Sequence, residues 1–160
     1  MTPTLADPLR HLAMPDLEAE LADAENCLWT TCDGAKRFDI SDDAAFNCGG
    51  LGLTRMKVQG NSYRPDVSGA FVLVLGLWHP FEPGPDCPFD GEPTLVDLLA
   101  FDPRRPSVWW HRIGQRDHVI GDWQVGTGPC RTHTTPLSWL QADCRGSVNL
   151  GALERWRAAA

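Results

Sequence analysis

Residues 71–78 read Phe-Val-Leu-Val-Leu-Gly-Leu-Trp, the most apolar run of the chain. Eight residues without polar alternation is the length of a strand, and such a run is stable only where both faces are covered. This segment is therefore expected to be a central strand, and the rest of the chain must supply the layers on its two sides.

Strands are expected around it. Leu53–Val58 precedes it, and Gly60-Asn61 offers a tight turn. Thr94–Phe101 follows it. Asp102-Pro103-Arg104-Arg105-Pro106 turns the chain into Ser107–Ile113, where Trp109, His111 and Ile113 share one face and Trp110 and Arg112 the other. Gly146–Leu150 reads as a last strand. Leu28–Thr31, Arg37–Ile40 and Ala45–Cys48 are short runs between turn residues, which suggests further tight hairpins.

Helices are expected at the ends. Leu5, Leu9, Leu12, Leu17 and Leu21 recur at three- to five-residue intervals, broken by Pro15. One helix should end near Ala13 and a second should run from Pro15 to about Glu25. Asp16, Glu18 and Glu20 lie in its first turns, where the helix dipole favours acids. Thr135-Pro136 should cap and open a short helix to Ala142, and Ala152–Ala159 a terminal one. The fold class is α+β, a largely antiparallel sheet with N-terminal helices and a short C-terminal helix. The 160 residues suit a single domain. The proline-rich loop 80–93 is a possible point of subdivision, because no strand or helix survives its proline density.

Charge narrows the function classes. The formal net charge is -7, which excludes a protein coating nucleic acid through bulk charge. No apolar stretch is long enough to span a bilayer, and no basic region followed by an apolar run opens the sequence, so the expected compartment is the cytoplasm. Residues 1–50 carry ten acids and three bases, whereas residues 101–160 carry five and eight, and five of the seven Trp fall in that last segment. Arg and Trp together can bind phosphate and stack on bases. Arg104, Arg105, Trp110, Arg112 and Arg116 are the candidate nucleic-acid-binding residues. A helix covering the second face of the Trp109-Trp110 strand would instead bury both rings.

Two other chemistries are readable. Cys27, Cys32 and Cys48 are spaced as Cys-x4-Cys-x15-Cys, and the last two each stand beside glycine turns, as on zinc knuckles. They are candidate zinc ligands; three thiols buried in a small core are the alternative. Cys130, His133, Asp143 and Cys144 could form a thiol site, although Gly-x-Ser-x-Gly is absent and no catalytic residue is assigned.

The stretch Cys32-Asp-Gly-Ala-Lys-Arg-Phe-Asp-Ile with Phe46-Asn-Cys-Gly-Gly50 resembles a degraded zinc-ribbon module of bacterial and phage DNA primases, with Phe38 and Phe46 at the matching strand positions. Leu51 stands where that family would carry another cysteine, and the first pair is spaced by four rather than two. The second half is similar to uncharacterised proteins of phage and mobile elements. The resemblance implies a lineage in nucleic-acid processing, not primase activity. The expected function is thus a non-catalytic binding or adaptor protein contacting nucleic acid. An acidic inhibitor or regulator of a basic protein partner is the first alternative, and a zinc- or thiol-dependent enzyme the second.

Overall fold

The computed structural model describes residues 15–79, 94–114, 119–121 and 131–150. The helix expected up to Ala13, the loop 80–93 and the helix 152–159 lie outside the described residues. Among the described residues the first elements are helix α1 (Leu17–Thr30), a 3₁₀ turn (Gly34–Phe38) and helix α2 (Asp42–Asn47). Strands β1 (Leu51–Gln59), β2 (Ser62–Pro65), β3 (Ala70–His79), β4 (Thr94–Phe101) and β5 (Trp109–His111) follow. A smaller unit comprises β6 (Val119–Ile120), β7 (Thr132–His133), helix α3 (Pro136–Gln141) and β8 (Ser147–Asn149).

The fold class is α+β, and its larger sheet closes into a five-stranded barrel in the order β1-β2-β5-β4-β3. Four of its pairings are antiparallel; the ring closes through one parallel pair, Ser62 with His111. The closure does not follow from the strand pattern, because Ser62 and His111 are far apart in sequence and neither carries an apolar signal. β3 and β4 are hydrogen-bonded neighbours, so the sheet runs continuously across the position where loop 80–93 suggested a subdivision. β6 and β7 flank β8 in the smaller sheet, β7 in parallel.

Register explains how β3 is buried twice. Leu51, Leu75, Leu99 and His111 stand in one cross-strand row, and Leu53, Leu73, Phe101 and Trp109 in the next. These odd-numbered positions pack against Leu28, Ile40, Ala44, Leu137, Trp139 and Val148 from the helices and the smaller sheet. The even-numbered face carries Val72, Val74, Leu98 and Ala100, and packs against Leu21 and Ala24 of α1. The central strand inferred from residues 71–78 therefore holds, with a helical layer on one side and a mixed layer on the other.

Residues 28–48 depart from the hairpins expected of them. Leu28–Thr30 is the last part of α1, the 3₁₀ turn covers 34–38, and 45–47 is helical. Local polar chemistry decides this. Asp16 accepts from the Ala19 amide at 3.1 Å as the N-cap of α1, and Ser41 accepts from Ala44 at 3.0 Å as the N-cap of α2. Leu17, Leu21, Ala24 and Leu28 continue the helical period without a break, and Leu21, Ala24 and Leu28 are buried. The Asp33-Gly34 pair thus opens a 3₁₀ turn rather than closing a hairpin. Thr135 caps α3 as expected, accepting from Ser138 at 3.1 Å, and Trp139 is fully buried with its Nε1 donating to the Gly146 carbonyl.

Gly52 sets the distance between α1 and the sheet. A Cβ placed there would fall 2.4 Å from both the backbone carbon and the Cβ of Ala24, closer than any packed carbon pair allows. Gly52→Ala must push α1 away from β1, and a loss of about 3 kcal/mol is expected from overpacking. Urea denaturation monitored by tryptophan fluorescence checks this; an unchanged midpoint would refute the close approach.

Candidate functional site

The residues of the expected Arg/Trp surface stand in different environments. Trp109 is 2% exposed and faces the larger core, while Trp110 is half-buried against the α1 side. Arg112 shares that face with Trp110 and meets Glu20 of α1: Nε donates to Oε2 at 3.0 Å and Nη2 to Oε1 at 3.1 Å. This two-point geometry is the strong form of an Arg–carboxylate contact, so the guanidinium is committed to fastening the helix. Arg104 is exposed but donates to both oxygens of Asp102, at 3.2 and 3.3 Å. Burial works against the Asp102 charge, yet its bonds from Arg104 prevail and hold its carboxyl below the ordinary range. Arg105 is exposed, and Arg116 lies outside the described residues. The strand alternation was legible, and a helix does cover the Trp110–Arg112 face, the alternative expectation, although it leaves Trp110 half-buried.

The candidate zinc ligands are dispersed by environment. Cys27 is half-buried on α1, Cys32 is exposed after it, and Cys48 is buried at the end of α2. Among the described residues, no group of three or more His, Cys, Asp or Glu stands close enough to hold a metal ion. Hairpin knuckles would have converged the thiols; helices carry them apart. Burial pushes the Cys48 thiol up to about 11, and it donates to the Ala45 carbonyl. Burial, with Cys48 and Asp143 nearby, pushes the Cys144 thiol up to about 12. A nucleophilic cysteine needs the opposite shift. His133 donates from Nε2 to the Arg145 carbonyl at 2.7 Å, a structural bond, and Cys130 lies outside the described residues.

Asp97 and His111 form a buried pair that the sequence reading passed over. Their side chains are 0% and 4% exposed, with 3.2 Å between Asp97 Oδ2 and His111 Nδ1. The regular β3–β4 register sets Asp97 opposite Leu77, the last pair before a shift between Leu77 and Trp78. Its carboxylate also accepts from the amides of Leu98 and Ile113, each at 2.8 Å, and from Gly114 at 3.1 Å. Burial alone would raise the Asp97 pKa, but the bonds from His111, Ile113, Gly114 and Leu98 outweigh it and lower it. The carboxylate thus replaces a strand as the acceptor for the backbone leaving β5. Only its burial marks it, and burial is not visible in Leu-Val-Asp-Leu.

The largest exposed aromatic feature among the described residues lies elsewhere. Trp29 in the last turn of α1 is 43% exposed and Phe46 of α2 is 74% exposed. Each follows a buried residue, Leu28 or Ala45, and so points outward from its helix. The two rings stack at 5.1 Å between centroids and 24° between planes. Glu25 stands one helical turn before Trp29, and Asp42 and Asp43 one turn before Phe46. Burial raises the pKa of Glu25. Residues 15–48 hold nine acids and two bases. Seven of those acids are exposed.

Comparison with family models, with curated proteins and with solved structures finds no match to this chain. Among the described residues no helix is long and apolar enough to cross a membrane.

The Asp97 latch has a signed pH dependence. Its folded pKa is depressed, so its contribution is full above the ordinary carboxylate pKa of about 4 and disappears as the pH falls through the folded value. Asp97→Asn turns an acceptor into a donor facing the Gly114 amide, and a loss of about 3 kcal/mol at neutral pH is expected. Denaturation midpoints from pH 7 down should fall less steeply below about pH 4 in the variant; parallel profiles would contradict the assignment.

Proposed function

We propose that the protein is a non-catalytic binding module whose acidic helical face, centred on Trp29 and Phe46, docks a basic protein partner. The observation that carries this reading is the solvent-exposed ring stack in a segment with a surplus of seven carboxylates. Two large rings held together in water cost free energy that a partner recovers by covering them. Tryptophan is among the residues most often found at the energetic centre of an interface. A Lys or Arg side chain satisfies both parts of this surface, through cation–π contact with the rings and ion pairing with Glu25, Asp42 and Asp43. Asp42 is 3.7 Å from Lys36, but both side chains are well exposed, so that pair is easily exchanged.

The raised thiol pKa of Cys144 speaks against that residue as a nucleophile. The commitment of Arg112 to Glu20 weakens the alternative in which the final third contacts nucleic acid. Under this reading the protein works in the cytoplasm, where its thiols remain reduced.

Affinity capture with the full chain from its own cell extract, followed by mass spectrometry, tests the reading. Wild type and Arg104→Ala/Arg105→Ala should enrich the same strongly basic protein, and Trp29→Ser/Phe46→Ser should not. With that protein purified, either single ring substitution should weaken binding roughly tenfold or more. Equal capture by the double ring variant, or a partner without excess basic charge, would reject the proposal.

A further inference from the structure

The β1–β2–β3 hairpins carry the opposite charge. Residues 51–79 contain three cations, Arg55, Lys57 and Arg64, and one carboxylate, Asp66, within a chain of net charge -7. The placement of these cations is specific. On β1 the odd-numbered side chains enter the core at Leu51 and Leu53, then emerge at Arg55 and Lys57. Arg55 stands opposite Phe71 on β3, and Lys57 opposite Arg64 on β2. Cross-strand partners share a face, so all four side chains form one strip.

Phe71 is 48% exposed, and the Arg55 guanidinium carbon sits 4.4 Å from its ring centroid. Arg55 Nη1 also donates to the Val67 carbonyl at 3.2 Å, which holds the cation over the ring. Lys57 and Arg64 lie 3.7 and 3.8 Å from Asp66, whose charge is stabilised first by the Ser68 hydroxyl and amide. Two like charges directly opposed across strands destabilise a hairpin, and one shared carboxylate relieves only part of that. Such local conflict concentrates at positions kept for function.

We propose that Arg55, Lys57, Arg64 and Phe71 form a binding site for single-stranded nucleic acid. The cations supply phosphate contacts. Arg55 and Lys57 are about 7 Å apart along the strand, comparable with successive phosphates of an extended chain. Phe71, 48% exposed, supplies an aromatic surface for a base once the Arg55 guanidinium turns from its ring to a phosphate. Stacking selects single strands, since a duplex keeps its base faces inside. A membrane would call for apolar groups projecting beyond the charges, whereas Phe71 lies beneath Arg55. The site shares no residue with the acidic helical face and stands or falls independently of it.

Fluorescence anisotropy of a labelled oligothymidylate with the full chain at low salt tests the proposal. Saturable binding is expected, with log K falling against log salt at a slope of about -2 for three cations. Lys57→Gln and Arg64→Gln should each flatten the slope by about 0.7. Phe71→Leu, which keeps an apolar side chain, should weaken binding about tenfold at an unchanged slope, and Phe71→Trp should restore it. Circular dichroism and thermal unfolding of each variant separate loss of binding from loss of fold. Trp29→Ser/Phe46→Ser should bind the oligonucleotide as wild type does, which separates this proposal from the protein-partner reading. Absence of saturable binding by wild type, equal binding by Phe71→Leu, or equal affinity for the oligothymidylate annealed to oligoadenylate would overturn it. So would capture by phosphatidylserine vesicles through the same residues with no affinity for the oligonucleotide.

Discussion

A strand that is apolar on both faces cannot stand at the edge of anything, and β3 imposes that condition on the whole molecule. Val72, Leu73, Val74, Leu75 and Leu77 are all buried, so alternate side chains need two separate partners. The odd face receives the end of α1 at Leu28, α2, the 3₁₀ turn, α3 and the smaller sheet; the even face receives α1 at Leu21 and Ala24. The approach of α1 is set by Gly52 and Ala24, and Arg112 locks the helix down from β5 through Glu20. Asp97 in turn holds the backbone just beyond Arg112. The polar contacts thus serve the double burial rather than forming a site of their own.

That arrangement decides which charged groups remain available. Two cations of the final third are drawn into contacts with carboxylates, Arg112 with Glu20 and Arg104 with Asp102. On the first hairpin the sheet extends past its cover. The strand alternation that places Leu51 and Leu53 in the core continues outward to Arg55 and Lys57. At the helical end, α1 and α2 each spend their apolar stripe on the core and leave one aromatic outside. The molecule therefore has an acidic aromatic face built from helices and a cationic aromatic strip built from strands. An adaptor that joins a basic protein to a nucleic-acid strand would use both.

The two aromatic surfaces were hard to read from sequence for different reasons. Phe46 was placed on a strand because it lies between turn residues, yet Ser41 caps a helix there, and the helix turns Phe46 outward beside Trp29. Arg55, Lys57 and Arg64 were hidden by averaging over linear windows. Residues 51–100 carry six acids against three bases, but five of those acids lie beyond His79. Register against β2 and β3 is what gathers the cations around Phe71. The Arg/Trp segment misled for the converse reason: proximity in sequence suggested a surface, and carboxylates distant or near in the chain, Glu20 and Asp102, pair with Arg112 and Arg104.

By itself the sequence determined the α+β class, the positions of β3, β4 and α3, and the acidic character of the N-terminal helix. These depend on local periodicity, capping and runs of apolar residues, which a chain carries wherever it folds. Closure of the barrel through Ser62 and His111, burial of Asp97, capture of Arg112 by Glu20 and assembly of the Phe71 strip were decided only in three dimensions. Each joins residues distant in the chain. The free energy of a charge or a ring depends on what lies against it, and no local pattern states its neighbours.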